Sequence, residues 1–106
     1  MISNAIIPAK DRADVIDPLR SKGWSTTTER DAIKKTFMFG TFKEAFKFMQ
    51  KVAKKAEKMD HHPEWFNCYN KIEVTLSTHT CNGLSLRDIE MANFMEHVAA
   101  RFLLKK

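Results

Sequence analysis

Residues 40–63, GTFKEAFKFMQKVAKKAEKMDHHP, decide how this chain folds. Thr41 and Glu44 form a Thr-x-x-Glu capping box just after Gly40, the signature of a helix start. At about 100° per residue, Phe42, Ala45, Phe46, Met49, Val52, Ala53 and Ala56 fall in one arc. Lys43, Lys47, Lys51, Lys54 and Lys58 fall in the opposite one. Phe48 and Met59 widen the apolar arc to roughly 160°, more than a helix lying on one sheet needs. The surplus edge, Phe48 with Val52, is a candidate subunit contact; the same width also fits a broad core stripe. The helix stops at the histidines, because Pro63 pushes His62 out of the α region toward extended geometry. A turning backbone there can aim His61 and His62 into one cleft.

Upstream, Pro8 to about Lys22 reads as a helix with Val15, Ile16 and Leu19 on its apolar face. Pro18 is expected to kink or shorten it, and Gly23 to end it. Trp24–Thr27 is rich in β-branched residues, and Ile33–Phe39 alternates, with Ile33, Phe37 and Phe39 on one face. Thr28-Glu29-Arg30-Asp31 between them supplies turn residues, so an antiparallel hairpin is expected. Downstream, Trp65 to Thr78 is extended, with Phe66, Cys68, Ile72, Val74 and Leu76 as its apolar positions. In one reading Asn70-Lys71 closes a tight hairpin; in the other the run is a single long bent strand. Ser77-Thr78-His79 ends it, which places His79 at a sheet edge or exit. Gly83 then turns the chain toward a last helix, with Ser85 as N-cap and Asp88 in the capping-box position. Met91, Met95, Val98 and Phe102 form its buried stripe, and Lys105 and Lys106 finish it. The order α-β-β-α-β-β-α implies one α+β domain over residues 1–106, a four-stranded antiparallel sheet with three helices packed on one face.

The 106 residues suffice for one hydrophobic core, and 43% apolar with 29% charged residues is an ordinary globular balance. The formal charge is +5, with most of the excess between Lys43 and Lys58. No run in the chain has the basic, glycine and aromatic pattern of an RNA-binding motif, so the segment reads as a solvated helix face and no direct nucleic-acid partner is expected. Cys68 and Cys81 have no CxxC spacing and read as free thiols of a reducing compartment. No basic segment precedes a long apolar one at the N-terminus, and no apolar run reaches about 18 residues. A soluble intracellular protein without leader or membrane contact is expected.

Three of the four histidines, His61, His62 and His79, lie where a regular element meets a loop. Histidine exchanges protons near neutrality, its unperturbed pKa being about 6.5. Zinc sites use four ligands at short spacings. Adjacent His61 and His62 make an awkward pair on one ion, and no HExxH arrangement is present, so neither metal nor other cofactor is expected. Cys81, two residues from His79, lacks a third residue to orient a nucleophilic pair. General acid–base chemistry fits better, since two or three imidazoles can divide donor and acceptor roles around one substrate. Glu57, Asp60 and Asp88 are carboxylates able to orient an imidazole or hold a polar heterocycle. Trp65 reads as a core or rim aromatic and His97 as surface.

The segment Glu57-Lys58-Met59-Asp60-His61-His62-Pro63-Glu64-Trp65, with Tyr69-Asn70-Lys71, Thr75-Leu76-Ser77-Thr78-His79 and Gly83-Leu84-Ser85-x-x-Asp88, resembles the pterin-4a-carbinolamine dehydratases. In animals that family is also called the dimerisation cofactor of a hepatocyte nuclear homeodomain factor. The similarity continues upstream through Gly23-Trp24, Arg30-Asp31-Ala32-Ile33 and Phe37-x-Phe39, nearly the whole chain. Within it, Cys68 stands where an aliphatic residue is expected in a buried strand. The resemblance implies dehydration of 4a-hydroxytetrahydrobiopterin to quinonoid dihydrobiopterin in tetrahydrobiopterin recycling. It implies His61, His62 and His79 as catalytic residues. The pterin would be bound by His61, His62 and Pro63 with Thr78, His79, Thr80 and Cys81, supported by Glu57, Asp60, Trp65, Arg87 and Asp88. It further implies a homotetramer, a dimer of dimers built through the 41–59 helix, in cytoplasm and nucleus. The alternative it carries is a non-enzymatic module that binds the dimerisation domain of a homeodomain transcription factor.

Overall fold

The computed structural model describes residues 2–103. Its elements are α1 (Ala9–Arg20), β1 (Ser25–Thr26), β2 (Ile33–Met38), α2 (Phe42–Met59), β3 (Glu64–Cys68), β4 (Lys71–Leu76), a 3-10 turn at His79–Cys81, and α3 (Leu86–Leu103). Lys105 and Lys106, expected to finish the last helix, lie outside the described residues. No helix among them is long and apolar enough to cross a membrane.

The capping box forms around α2: Thr41 Oγ1 accepts the Glu44 N–H at 3.1 Å, and Glu44 Oε1 accepts the Gly40 N–H at 3.0 Å. The four strands order β1-β2-β4-β3, every neighbouring pair antiparallel. In the central pair Ile33 faces Leu76 and Phe37 faces Ile72. Side chains alternate across a strand, so Ile33, Phe37, Ile72, Val74 and Leu76 share the inner face, and all are buried. Against them pack Ile16 and Leu19 of α1, Ala45, Phe48, Val52 and Ala56 of α2, and Met91, Ala92, Met95 and Val98 of α3. The α+β architecture with its seven-element order is the one the patterning implies. Pro18 does not end α1, which runs on to Arg20.

Three details differ from the sequence reading. Phe48 and Val52 are not a subunit contact, because both are fully buried. Phe48 packs between Phe37 and Phe39, with ring centroids 4.9 and 5.0 Å away. The surplus apolar edge lies on the other side of the arc. There Phe42 and Phe46 stack on each other, centroids 5.8 Å apart, and remain exposed. Periodicity gives the width of an apolar arc but not which part of it meets the sheet. Second, the β3–β4 hairpin is closed by Tyr69-Asn70 rather than Asn70-Lys71, with Tyr69 in the left-handed region at φ 53°. Asn70 is drawn into the turn by β2: its backbone carbonyl accepts the Phe39 N–H and its side-chain amide donates to Phe39 O. Third, with Trp65 opposite Val74, β3 turns Trp65 toward the core and leaves Phe66 and Cys68 exposed. Cys68 is therefore not in a buried position.

A brace ties α1 to the loop before α3. Arg12 holds the Asp31 carboxylate through two bonds of 2.7 and 2.8 Å, and Asp31 Oδ2 also accepts the Leu84 N–H at 3.0 Å. A Cβ on Gly83 would lie 2.5 Å from that same oxygen. The carboxylate cannot swing away without surrendering the three bonds. Gly83→Ala is therefore expected to lower stability by about 1–3 kcal/mol in urea unfolding. The loss should largely vanish in an Asp31→Ala background; an equal loss in both backgrounds would rule out the collision.

Candidate active site

The end of α2 positions the histidine pair. Asp60 takes a left-handed conformation at φ 52°, its N–H bonds to Glu57 O, and the His61 N–H returns to Ala56 O at 3.0 Å. This is a Schellman closure, with aspartate in the place usually held by glycine. It folds His61 back under the helix, and Pro63 then sends the chain into β3. On the other side β4 ends at Leu76, and a tight loop returns through Thr78 and Gly83, which exchange backbone bonds of 2.8 and 3.2 Å. The 3-10 turn carrying His79 is the crown of that loop.

Between these pieces and the start of α3 lies a cleft of about 320 Å³. It is lined by Asp60, His61, His62, Pro63, Glu64, Ser77, Thr78, His79, Thr80 and Arg87. The volume suits a bicyclic heterocycle, at the low end of the usual range for ligand pockets. All three histidines named from sequence line it, in three different settings. His61 is buried and its Nε2 lies 2.7 Å from Asp88 Oδ1. His62 is exposed, with Nε2 2.7 Å from Glu57 Oε2. His79 is exposed and makes no side-chain hydrogen bond among the described residues.

Asp88 is fully buried. Its Oδ1 faces His61, and its Oδ2 accepts from Thr78 Oγ1 at 2.7 Å and from the Ser85 N–H at 3.0 Å. Ser85 Oγ contacts Thr78 Oγ1 at 2.6 Å and accepts the Arg87 N–H at 3.2 Å. One proton arrangement satisfies the chain: Thr78 donates to Asp88, Ser85 to Thr78, and Arg87 to Ser85. An ionised carboxylate only accepts, so His61 carries its proton on Nε2 and keeps Nδ1 as the other working atom. Glu57 imposes the same tautomer on His62.

Of the other residues named from sequence, Asp60, Pro63, Thr78, Thr80 and Arg87 line the cleft. Glu57 and Asp88 stand behind the histidines they bond. Cys81 is half-buried, its Sγ near Thr78 O and Gly83 O, and Trp65 packs against the core; neither lines the cleft. Arg87 spans the site, reaching Asn4 Oδ1 and the Met59 carbonyl, and its Nε is buried without a partner among the described residues. Sequence reasoning missed Glu64, Ser77 and Arg30. Glu64 forms the rim and is gripped by Arg30 through two 2.8 Å bonds. Its place beside His61-His62-Pro63 was the available signal. No group of three or more His, Cys, Asp or Glu among the described residues is placed to hold a metal ion.

Residues 7–98 match the model of the family described as Pterin 4 alpha carbinolamine dehydratase. Among solved structures, the chain is similar to a transcriptional coactivator/pterin dehydratase from Brucella melitensis. The identity is 43% and the TM-score 0.81, over 89% of this chain and 98% of that one. It also shares its fold with a pterin dehydratase-like protein that is a RuBisCO assembly factor in the alpha-carboxysome. That likeness has 20% identity and a TM-score of 0.64, over 73% of this chain and 89% of that one.

Two carboxylates near the site have lowered pKa values. Arg12 holds Asp31 below its ordinary 3.8, aided by the Leu84 N–H, and Arg30 holds Glu64 below its ordinary 4.5. Burial opposes both shifts. A carboxylate with a depressed folded pKa stabilises the protein above its unfolded pKa, and that contribution is lost as pH falls through the folded value. The urea midpoint should therefore hold above 4.5 and fall as the medium is acidified below 3.8. Asp31→Asn/Glu64→Gln should flatten that decline. An unchanged slope in the double variant would show that other carboxylates control acid unfolding.

Proposed function

The chain belongs to the pterin 4 alpha carbinolamine dehydratase family, and we propose that it dehydrates 4a-hydroxytetrahydrobiopterin to quinonoid dihydrobiopterin by histidine acid–base catalysis. The observation that carries this reading is the pairing of His61 with a fully buried, fully bonded Asp88 on the wall of a cleft shared with His62 and His79. The reaction breaks the C4a–O bond, with the electron pair leaving on oxygen. A proton delivered to that oxygen makes water, and loss of the N5 proton lets the nitrogen lone pair form C4a=N5. The step is neither oxidation nor reduction, and two positioned proton carriers suffice for it.

His61 suits the acid role. Asp88 can hold an imidazolium by a charge-assisted bond to Nε2–H while Nδ1–H is delivered to the departing hydroxyl. His79, on the opposite loop, is assigned the second donor to that oxygen. His62 binds the ring, and with Nε2–H on Glu57 its Nδ1 is the acceptor for the N5 proton. Thr78 and Thr80 border the same space, and Arg87 and Asp60 brace the loop that carries the pair.

Stopped-flow dehydration of chemically generated 4a-hydroxytetrahydropterin tests the assignment. With chelator present, the wild type should retain full activity. His61→Ala and His79→Ala should lose about 10²–10⁴ in kcat, and Asp88→Asn should follow His61→Ala with little change in KM. His62→Ala should lower kcat if His62 moves the proton, and mainly raise KM if it only binds. A folded but inactive wild type would sink the enzyme reading.

The exposed Phe42–Phe46 pair supports a second reading beside the first. An apolar pair on an otherwise lysine-rich helix is a self-association or partner surface. We assign it the homotetramer contact through the 41–59 helix, and it is equally the surface that a transcription-factor dimerisation domain would use. Phe42→Ser/Phe46→Ser should shift light-scattering mass from tetramer to dimer and leave turnover in place. An unchanged tetramer would move the contact elsewhere.

A further inference from the structure

A second concavity, about 400 Å³, lies between α2 and α3, which run in opposite directions, the end of α2 meeting Arg87 at the start of α3 and Phe39 before α2 meeting Phe102 near its end. Its charge is one-sided. Lys51, Lys54, Lys55 and Lys58 line one wall and Arg101 the other. The groove thus carries five of the chain's eighteen basic residues and no acidic side chain in its lining. Of the five, only Lys55 has an acidic partner among the described residues, Glu90 at 3.0 Å. Four lysines on one wall make the local potential positive.

We propose that this groove docks an acidic amphipathic helix of a partner protein. Lys51, Lys54 and Lys58 recur at helical spacing along about 10 Å of α2, the same repeat at which a second helix laid alongside presents glutamates or aspartates. Between the cations lies an apolar floor, Phe94 and Val98. A helix whose acidic edges flank one or two aliphatic side chains complements charge and floor together. Nucleic acid fits less well. Single strands need exposed aromatic faces for stacking, whereas the Phe94 ring is half-buried and already covered by the Lys55 ammonium at 5.3 Å. The groove is separate from the histidine cleft, so its occupation does not depend on the dehydratase reading.

The probe is a labelled helical peptide carrying glutamates at i, i+3, i+4 and i+7 around leucines, followed by fluorescence anisotropy on the intact protein, with labelled oligothymidylate as comparator. Peptide binding should weaken with salt. It should fall about tenfold or more in Lys51→Glu/Lys54→Glu/Lys58→Glu, and survive in the matching triple arginine variant. Lys43→Glu/Lys47→Glu removes basic charge from α2 outside the groove and should change little. Thermal midpoint and far-UV circular dichroism serve as controls on the fold. Absence of peptide binding, equal loss in the Lys43/Lys47 variant, or tighter binding of oligothymidylate would each overturn the proposal.

Discussion

The carboxylate of Asp88 is the constraint on which the rest of the site depends. An ionised side chain with no solvent exposure is costly unless both of its oxygens are met by donors. Here the donors come from three separate segments: His61 after α2, Thr78 after β4, and the backbone of Ser85 at the start of α3. The position in the first turn of α3 helps, because the unpaired N–H groups and dipole there favour negative charge. Removing any one donor strands charge in the interior. The elements that bear the three donors are thereby held in one arrangement, and that arrangement is the cleft.

The brace of Arg12, Asp31 and the Leu84 N–H does the same work one layer out. It fixes α1 and the β1–β2 turn against the loop leading into Ser85. Gly83, with no side chain, lets Asp31 approach. Arg30, next in sequence to Asp31, grips Glu64 at the cleft rim. Two neighbouring residues of a surface turn thus anchor both sides of the site. Arg87 adds a third tie, from the N-terminal arm at Asn4 to the last carbonyl of α2.

The fold was legible wherever one physical signal dominated. The Thr41–Glu44 box, the Met91-Met95-Val98 stripe and the alternation in β2 each admitted a single reading. The failures share a cause: sequence gives a periodicity and leaves its phase open. The arc of α2 could have met the sheet by either edge, and only the Phe37–Phe39–Phe48 cluster chose one. In β3 the apolar residues Trp65, Phe66 and Cys68 do not alternate cleanly, and the turn at Tyr69-Asn70 set which of them faced inward. At the site, the histidines stood out because few side chains titrate near neutrality. Glu64, Ser77 and Arg30 did not, since charged and hydroxyl residues in turns are ordinary.

The wide arc of α2 then has a physical reading. A helix that served only the core would present one apolar stripe and a mixed polar back. This one divides its circumference in three: Ala45, Phe48, Val52 and Ala56 toward the sheet, Phe42 and Phe46 exposed beside them, and the lysines beyond. Its last turn also supplies the carbonyls that hold His61 and Arg87. Contacts made on its outer faces therefore bear on a rod whose end is bonded to the cleft. Yet the rod is also buried along its length against the sheet, and close-packed cores resist sliding. The histidine cleft is thus held apart from the outer faces of α2, and one small domain keeps that cleft at one end of the helix and an exposed apolar pair along its side.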